Sequence, residues 1–170
     1  RGVELQLEYL TVDGQLLPAE AWRQLDDGLI IESPPREPFT LTSRCRIDPY
    51  NNTSLEGLYA SGGMLTTQCE AEGFRRITFH PDRPDVLACW RVRIEADQAT
   101  SPVLLSNGNL VESQVLPNGR HAVIWMDPHP KPSYLFALVA GDLCEVRDRF
   151  TTAEGREVTL RLHVEAGDEP

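Results

Sequence analysis

Apolar and polar residues alternate over several short runs of this chain. The alternation is clearest in residues 3–9, 39–47, 88–95 and 158–164. Neighbouring side chains of an extended chain point to opposite faces, so each run predicts a strand with one core face and one solvent face. The core faces are assigned to Val3, Leu5, Leu7, Tyr9, Phe39, Leu41, Ser43, Cys45, Ile47, Ala88, Trp90, Val92, Ile94, Val158, Leu160, Leu162 and Val164.

Turn dipeptides separate these runs. Asp13-Gly14, Asn107-Gly108 and Asn118-Gly119 are of the type that accepts the positive φ angles of tight hairpins. The two Asn-Gly pairs flank the apolar runs Val103–Leu105 and Ala122–Trp125, which predicts a β-meander in this region.

Three further segments complete the prediction of secondary structure. Asp127–Pro132 is rich in proline and is expected to be a link that joins no central ladder. The nearly continuous apolar run Tyr134–Ala140 is the best candidate for a central strand. A short turn after Pro84 is the only helix candidate.

Many short strands with Gly, Pro and Asn between them favour an all-β fold, either an antiparallel β-sandwich or a saddle-shaped sheet. The length of 170 residues suits one domain spanning residues 1–170. Because the alternation is already under way at the first residues, we expect that the first strands of the domain lie upstream. The edge left unpaired would then favour dimerisation by strand addition.

Composition narrows the function classes. With 16 basic and 26 acidic residues the formal charge is −10, which argues against a nucleic-acid partner. No apolar run is long enough for a membrane helix, so we expect a soluble protein with no membrane partner. The four cysteines, Cys45, Cys69, Cys89 and Cys144, are too scattered for a metal or redox motif and are predicted to be buried free thiols. Free thiols are consistent with a reducing compartment, the cytoplasm.

The histidines show no spacing typical of metal ligands. His80, His121, His129 and His163 include no pair four residues apart, so no zinc site is expected within the chain. The carboxylates of Asp142 and Glu145 are near each other in sequence, but such pairs are usually only solvated.

Three stretches resemble the N-terminal domain of bacterial aminopeptidase N, a zinc metallopeptidase of the gluzincin type. The first begins at Leu55 and reads LEGLYASGGMLTTQCEAEGFRRITFHPDRPDV. The second is Pro102–Asn109, PVLLSNGN, and the third is Pro128–Asp142, PHPKPSYLFALVAGD. The flanking residues agree more loosely.

The resemblance implies a β domain that caps a thermolysin-like catalytic domain lying downstream in the same chain. The catalytic parts would be a Gly-Ala-Met-Glu-Asn motif and an H-E-x-x-H zinc helix with a distant third Glu ligand, and residues 1–170 contain neither motif. We therefore expect zinc in the full-length enzyme and none bound by this chain. The chain has no catalytic residues of its own and is expected to be inactive alone.

The resemblance also assigns a substrate-binding role to the segment Thr67–Glu72. It implies that Glu70 binds the α-ammonium group of the peptide N-terminus and that Gln68 lines the pocket for the first side chain. It further implies a non-proline cis peptide bond between Glu70 and Ala71. Residues two apart in an extended chain share a face, so Gln68 and Glu70 are able to converge on one ligand. Glu72 shares this face too, but pairing with Arg75, Arg76 or Arg83 is an equally good interpretation.

A second interpretation comes from another class of protein. Composition and strand pattern alone are equally consistent with a free-standing β-sandwich module that binds a glycan or a protein. Such a module has no need of the string Gln68–Gly73, and this string distinguishes the two hypotheses.

Overall fold

A computed structural model describes residues 1–169 of the chain, and these residues form an all-β fold, as predicted. Every strand pairing is antiparallel. Helical structure within residues 1–169 is confined to single 3₁₀ turns at Ala19–Ala21, Phe74–Arg76 and Ser133–Leu135. No helix in the described part of the chain has the length and apolar character needed to cross a membrane.

The strands, in chain order, are β1 (Gln6–Val12), β2 (Gln15–Leu16), β3 (Trp22–Leu25), β4 (Gly28–Ile31), β5 (Leu41–Arg46), β6 (Gly57–Ser61), β7 (Met64–Gln68), β8 (Ala88–Asp97), β9 (Val103–Ser106), β10 (Asn109–Val115), β11 (Arg120–Lys131), β12 (Leu138–Gly141), β13 (Cys144–Thr151) and β14 (Glu157–Val164). They form a four-stranded sheet in the order β6-β7-β12-β9 and two three-stranded sheets, β10-β11-β8 and β2-β1-β5. The pairs β3-β4 and β13-β14 are two-stranded ribbons.

Two of the sheets pack face to face. Ile94 of β8 and Val123 of β11 contact Leu104 of β9 and Ala140 of β12 in one buried cluster. Alternation along β8 supplies this contact, because Val92 and Ile94 point inward while Arg91 and Arg93 are exposed. This arrangement confirms the sandwich and the two faces predicted for residues 88–95.

A β-bulge changes the face assignment near the start of the chain. The register of β1 against β5 shifts between Leu7 and Tyr9. A bulge adds one residue to one strand and so reverses which side chains point inward beyond it. Leu5 and Leu10 are buried in consequence, whereas Tyr9 is 38% exposed. The sequence prediction that placed Tyr9 on the core face with Leu5 is wrong for this reason.

The predicted hairpin turns are confirmed at two of three positions. Asp13-Gly14 joins β1 to β2, and Asn118-Gly119 joins β10 to β11, with positive φ at all four residues. Asn107-Gly108 lies between β9 and β10, which belong to different sheets, so the predicted hairpin there is wrong. The Asn107 side chain instead donates to the Leu135 carbonyl and accepts from the Ala137 amide, which fixes the crossing between layers.

The proline-rich and apolar segments also differ from prediction. β11 continues to Lys131, but its register against β8 breaks between Asp127 and Lys131. Of the predicted central strand Tyr134–Ala140, only Leu138–Ala140 belongs to a strand, namely β12, which is central between β7 and β9. The residues just before it form the 3₁₀ turn Ser133–Leu135. Pro84 begins a simple turn and no helix.

The four cysteines are free thiols with different exposure. Cys69 is buried and Cys45 and Cys144 are half-buried, but Cys89 is exposed. Cys89 precedes Trp90 on β8 and therefore points to the solvent face, which corrects the prediction that all four are buried.

Candidate functional site

Gln68 is the last residue of β7, and Cys69 and Glu70 lead from it into a turn. Cys69 is buried at 3% exposure, while Gln68 and Glu70 are both exposed. The Gln68 Nε2 atom donates to the Glu70 main-chain oxygen over 3.2 Å. The two residues line one pocket of about 300 Å³ with Tyr134 and Phe136. The structure therefore brings together on one face the two residues that the sequence singled out.

A second pocket of about 290 Å³ lies on the other side of Glu70. Three chain segments line it, namely residues 70–72, 82–84 and 133–134. Glu70 and Tyr134 line both pockets, so Glu70 stands on the ridge between them.

The chain turns sharply after Glu70. The Glu70–Ala71 peptide bond is cis, as the resemblance implied. The Gly73 amide then donates to the Cys69 carbonyl over 2.9 Å. A Cβ atom at Gly73 would lie 2.3 Å from the Gln68 oxygen and 3.0 Å from the Gly57 nitrogen. Only glycine fits here, because backbone approaches this position from two sides.

The charged neighbours of Glu70 are paired with one another. Arg75 donates to Glu72 over 3.1 Å, and Arg83 forms two hydrogen bonds with Asp85. Within residues 1–169 the Glu70 carboxylate has no ion pair and no side-chain hydrogen bond, while its main-chain oxygen accepts from Gln68. The site thus presents one unpaired carboxylate beside carboxylates that have arginine partners. Of the two interpretations of Glu72, the pairing with Arg75 is the one that the structure contains.

Asp82, one of the residues that line the second pocket, is a buried carboxylate at 5% exposure. Its Oδ2 atom accepts from the Arg75 Nε atom at 2.9 Å and from the Arg75 amide at 3.2 Å. Its Oδ1 atom accepts from the Ser133 hydroxyl. Burial by itself would raise the pKa of Asp82, but the hydrogen bonds from Ser133 and Arg75 outweigh it and the pKa is lowered. Asp82 therefore stays ionised.

A cluster of aromatic rings around Phe74, which we call the floor of the site, packs beside Cys69. Phe74 contacts His80, Trp90 and Phe136 with ring centroids 5.1–5.2 Å apart. The His80 Nε2 atom is buried within residues 1–169 without a hydrogen-bond partner. Burial, reinforced by the amino group of Arg1 and opposed by Asp82, lowers the pKa of His80, so this ring packs as a neutral core residue. Trp90 is a core residue too, as the sequence suggested.

The thiol next to Glu70 is not a nucleophile. Burial, with the nearby Asp82 charge, raises the pKa of Cys69 to about 12. A thiol with so high a pKa holds its proton at neutral pH and serves as an apolar packing group.

Three of the remaining titratable candidates, His121, Glu145 and His163, have local partners. His121 contacts the Ser101 carbonyl at 2.8 Å, and Glu145 pairs with Arg147 and, at 3.5 Å, with His163. Within residues 1–169 no three His, Cys, Asp or Glu side chains are grouped so that they could hold a metal ion. The described residues therefore do not fit a zinc site.

Sequence reasoning missed two residues of the site, Asp82 and Ser133. Both lie within the stretches that carry the family resemblance, but neither has a local pattern that marks it. Their hydrogen bond joins positions 51 residues apart, which no periodicity reports.

Comparison with known proteins identifies the class. Residues 23–135 match the family model described as the peptidase M1 N-terminal domain, and this match spans more than half of the chain. The chain belongs to this family of domains from M1 zinc metallopeptidases. Membership of this family does not favour the second hypothesis, in which the chain is a free-standing module that binds a glycan or a protein.

Individual relatives agree with this assignment. Aminopeptidase N of Escherichia coli (strain K12) is 53% identical over 167 residues, which are 98% of this chain and 19% of that protein. Aminopeptidase N of Caulobacter vibrioides is 54% identical over 166 residues, again 98% of the chain and 19% of the relative. The chain thus spans about a fifth of the length of these two relatives.

Solved structures show the same fold. Aminopeptidase A of Legionella pneumophila in complex with aspartic acid superposes with a TM-score of 0.93 at 42% identity, over 97% of this chain and 19% of that chain. An M1 zinc metallopeptidase of Deinococcus radiodurans superposes with a TM-score of 0.79 at 20% identity, over 98% of this chain and 39% of that chain. The second likeness supports the fold alone.

Proposed function

We propose that this domain anchors the free N-terminus of a peptide in a zinc aminopeptidase, with Glu70 as the residue that binds the α-ammonium group. The observation that carries the proposal is the Glu70 carboxylate, which is exposed between two pockets and unpaired within residues 1–169. A relative of 42% identity has been solved with aspartic acid, a ligand that carries an α-ammonium group. Gln68 lines the pocket for the first side chain.

An exopeptidase must select the end of its substrate. A carboxylate in a closed cleft stabilises a free ammonium group and penalises a blocked one, because acylation leaves the carboxylate desolvated without a partner. The remaining part of the full-length protein would hold the zinc, which when bound would activate a water molecule for attack on the peptide bond. Glu70 and Gln68 position the substrate and take no part in bond cleavage. Residues 1–170 alone are inactive with added zinc.

The test is Glu70→Ala in the full-length protein. We expect kcat/KM for a substrate with a free N-terminus to fall by about 2 kcal/mol or more, which is about 30-fold. Glu112→Ala is the matched control, because Glu112 is an exposed strand glutamate on β10 and lines neither pocket. Unchanged kinetics in Glu70→Ala would refute the assigned role.

A further inference from the structure

Three separate parts of the sequence form the walls of the pocket beside Glu70. Residues 70–72 form the first wall, residues 82–84 the second and residues 133–134 the third. None of these walls is a strand, since they are loops and the beginning of a 3₁₀ turn. Sheet hydrogen bonding therefore does not fix their relative positions, and another contact must do so.

The Asp82 side chain makes that contact. Its Oδ2 atom accepts from the Arg75 amide and from Arg75 Nε, and Arg75 in turn donates to Glu72 in the first wall. Its Oδ1 atom accepts from Ser133 in the third wall. The main-chain oxygen of Asp82 also accepts from Arg75 Nη2 at 3.1 Å. One carboxylate thus joins all three walls.

Asp82 is itself a poor ligand for a substrate amine. It is only 5% exposed, and both of its carboxylate oxygens are engaged by Arg75 and Ser133. A new ion pair would require breaking buried charge-assisted hydrogen bonds, which are among the stronger contacts in a protein. Its place in the site is therefore in the second wall, where it holds other residues.

We infer that Asp82 is a positioning residue for Glu70: by joining the three pocket walls through Arg75 and Ser133, it sets where the Glu70 carboxylate stands. The inference rests on the proposed function of Glu70. Glu70 must bind the substrate amine while the peptide bond to be cleaved lies at the metal. A small displacement of the carboxylate therefore lowers the rate by a large factor. Arg75 also pairs with Glu72 over 3.1 Å, which leaves Glu70 as the carboxylate of its wall without an ion pair within residues 1–169.

The central experiment is Ser133→Ala in the full-length protein. It removes the hydrogen bond from the Ser133 hydroxyl to Asp82 Oδ1 and adds no bulk at a residue that is 1% exposed. We measure kcat and KM together with the inhibition constants of L-phenylalanine and of 3-phenylpropanoate, which lacks the amine. The inhibition constant of L-phenylalanine is expected to rise by about tenfold, and that of 3-phenylpropanoate by less than about twofold.

A double-mutant cycle with Glu70→Ala separates positioning from general damage. If Asp82 acts through Glu70, Ser133→Ala has little further effect on amine binding, below about threefold, once Glu70 is alanine. An equal loss in both backgrounds, an equal loss for both inhibitors, or no loss at all overturns the positioning role. These outcomes leave the proposed function intact, because that function fails only if Glu70→Ala itself is without effect.

Arg75→Lys is the second variant, in case Ser133→Ala is poorly folded. Lysine keeps the charge beside Asp82 but cannot reproduce the several directed donors of the guanidinium group. The same amine-selective loss is expected, and its absence in a protein with a normal unfolding midpoint overturns the inference. Ser43→Ala is the matched control, because it too removes a side-chain hydroxyl bond, the 3.3 Å contact with Thr78, at a residue that lines neither pocket.

Discussion

The side-chain amide of Gln68 donates a hydrogen bond to the main-chain oxygen of Glu70 over 3.2 Å. This bond spans the buried Cys69 and holds the Gln68 side chain against the backbone that carries the Glu70 carboxylate. Gln68 therefore has two roles: it contacts the Glu70 backbone, and it lines the pocket that Phe136 also lines.

We predict that Gln68→Ala changes the preference for the first residue of the substrate more than it changes amine recognition. Loss of an exposed hydrogen bond costs about 1 kcal/mol, so kcat/KM for a single substrate should decrease by about fivefold. A panel of aminoacyl substrates assayed with the full-length protein provides the measurement. A uniform loss across the panel, as large as that of Glu70→Ala, would contradict a role in the side-chain pocket.

Gly73 is predicted to be intolerant of any side chain. In Gly73→Ala the new Cβ atom would lie 2.3 Å from the Gln68 oxygen and 3.1 Å from the Cys69 Cα atom, so the backbone must shift. We expect a loss of about 1–3 kcal/mol in the free energy of unfolding, measured by denaturant titration, together with a higher KM. Gly28→Ala is the control, since its Cβ atom would make an ordinary 3.6 Å contact with Arg1. Equal stability of the two variants would count against the close approach.

Acid is predicted to destabilise the floor of the site through His80. Burial lowers the pKa of His80 below the ordinary value of 6.5, so the unfolded chain binds this proton first. The contribution of His80 to stability is therefore constant above its unfolded pKa and decreases as the pH drops from 6.5 toward the lowered folded pKa. The pKa of Asp82 is also lowered. Its contribution to stability is lost only as the pH falls below 3.8, the ordinary pKa of its carboxyl group.

Thermal unfolding from about pH 8 to about pH 5 checks this prediction. His80→Phe keeps a ring beside Phe74 and Trp90 and should remove most of the fall in the unfolding midpoint over this range. His129→Gln, at an exposed histidine, should leave the fall unchanged. A pH profile of His80→Phe identical to that of the unchanged protein would contradict the assignment.

The free edge of β10 is predicted to pair between copies of the isolated chain. β10 is the outer strand of its sheet, and all seven of its residues are exposed, among them Leu110, Val111 and Val115. Val111→Lys should reduce association, because a lysine on an edge strand opposes pairing. Light scattering at high concentration is the measurement, with Ala153→Lys in the β13-β14 turn as the control for added charge. A monomer at every concentration would refute the prediction.

Local patterns predicted much of the fold, and the family resemblance pointed to the centre of the site. Alternation in residues 88–95 predicted β8 with its correct faces, and Asn118-Gly119 predicted the hairpin between β10 and β11. The string Gln68–Gly73 pointed to the ridge between the two pockets. The strand alternation and the turn depend on neighbouring residues, so local patterns are enough to predict them.

The errors arose where one residue changes the register or where partners are distant. The bulge between Leu7 and Tyr9 exchanged the faces of β1, and Asn107-Gly108 led to another sheet instead of a hairpin. An Asn-Gly turn favours positive φ, but it does not decide which strand pairs with which. That choice depends on the packing of whole sheets.

The sequence by itself determined that the chain is all-β, where several of its strands lie, and that Gln68 and Glu70 are able to share one face. Only the tertiary structure decided that Glu70 has no charged partner within residues 1–169 and that Asp82 joins the loops around it. The reason is that strand period and turn chemistry act over a few residues. The contact of Asp82 with Ser133, by contrast, exists only once the folded chain brings together loops that lie 51 positions apart.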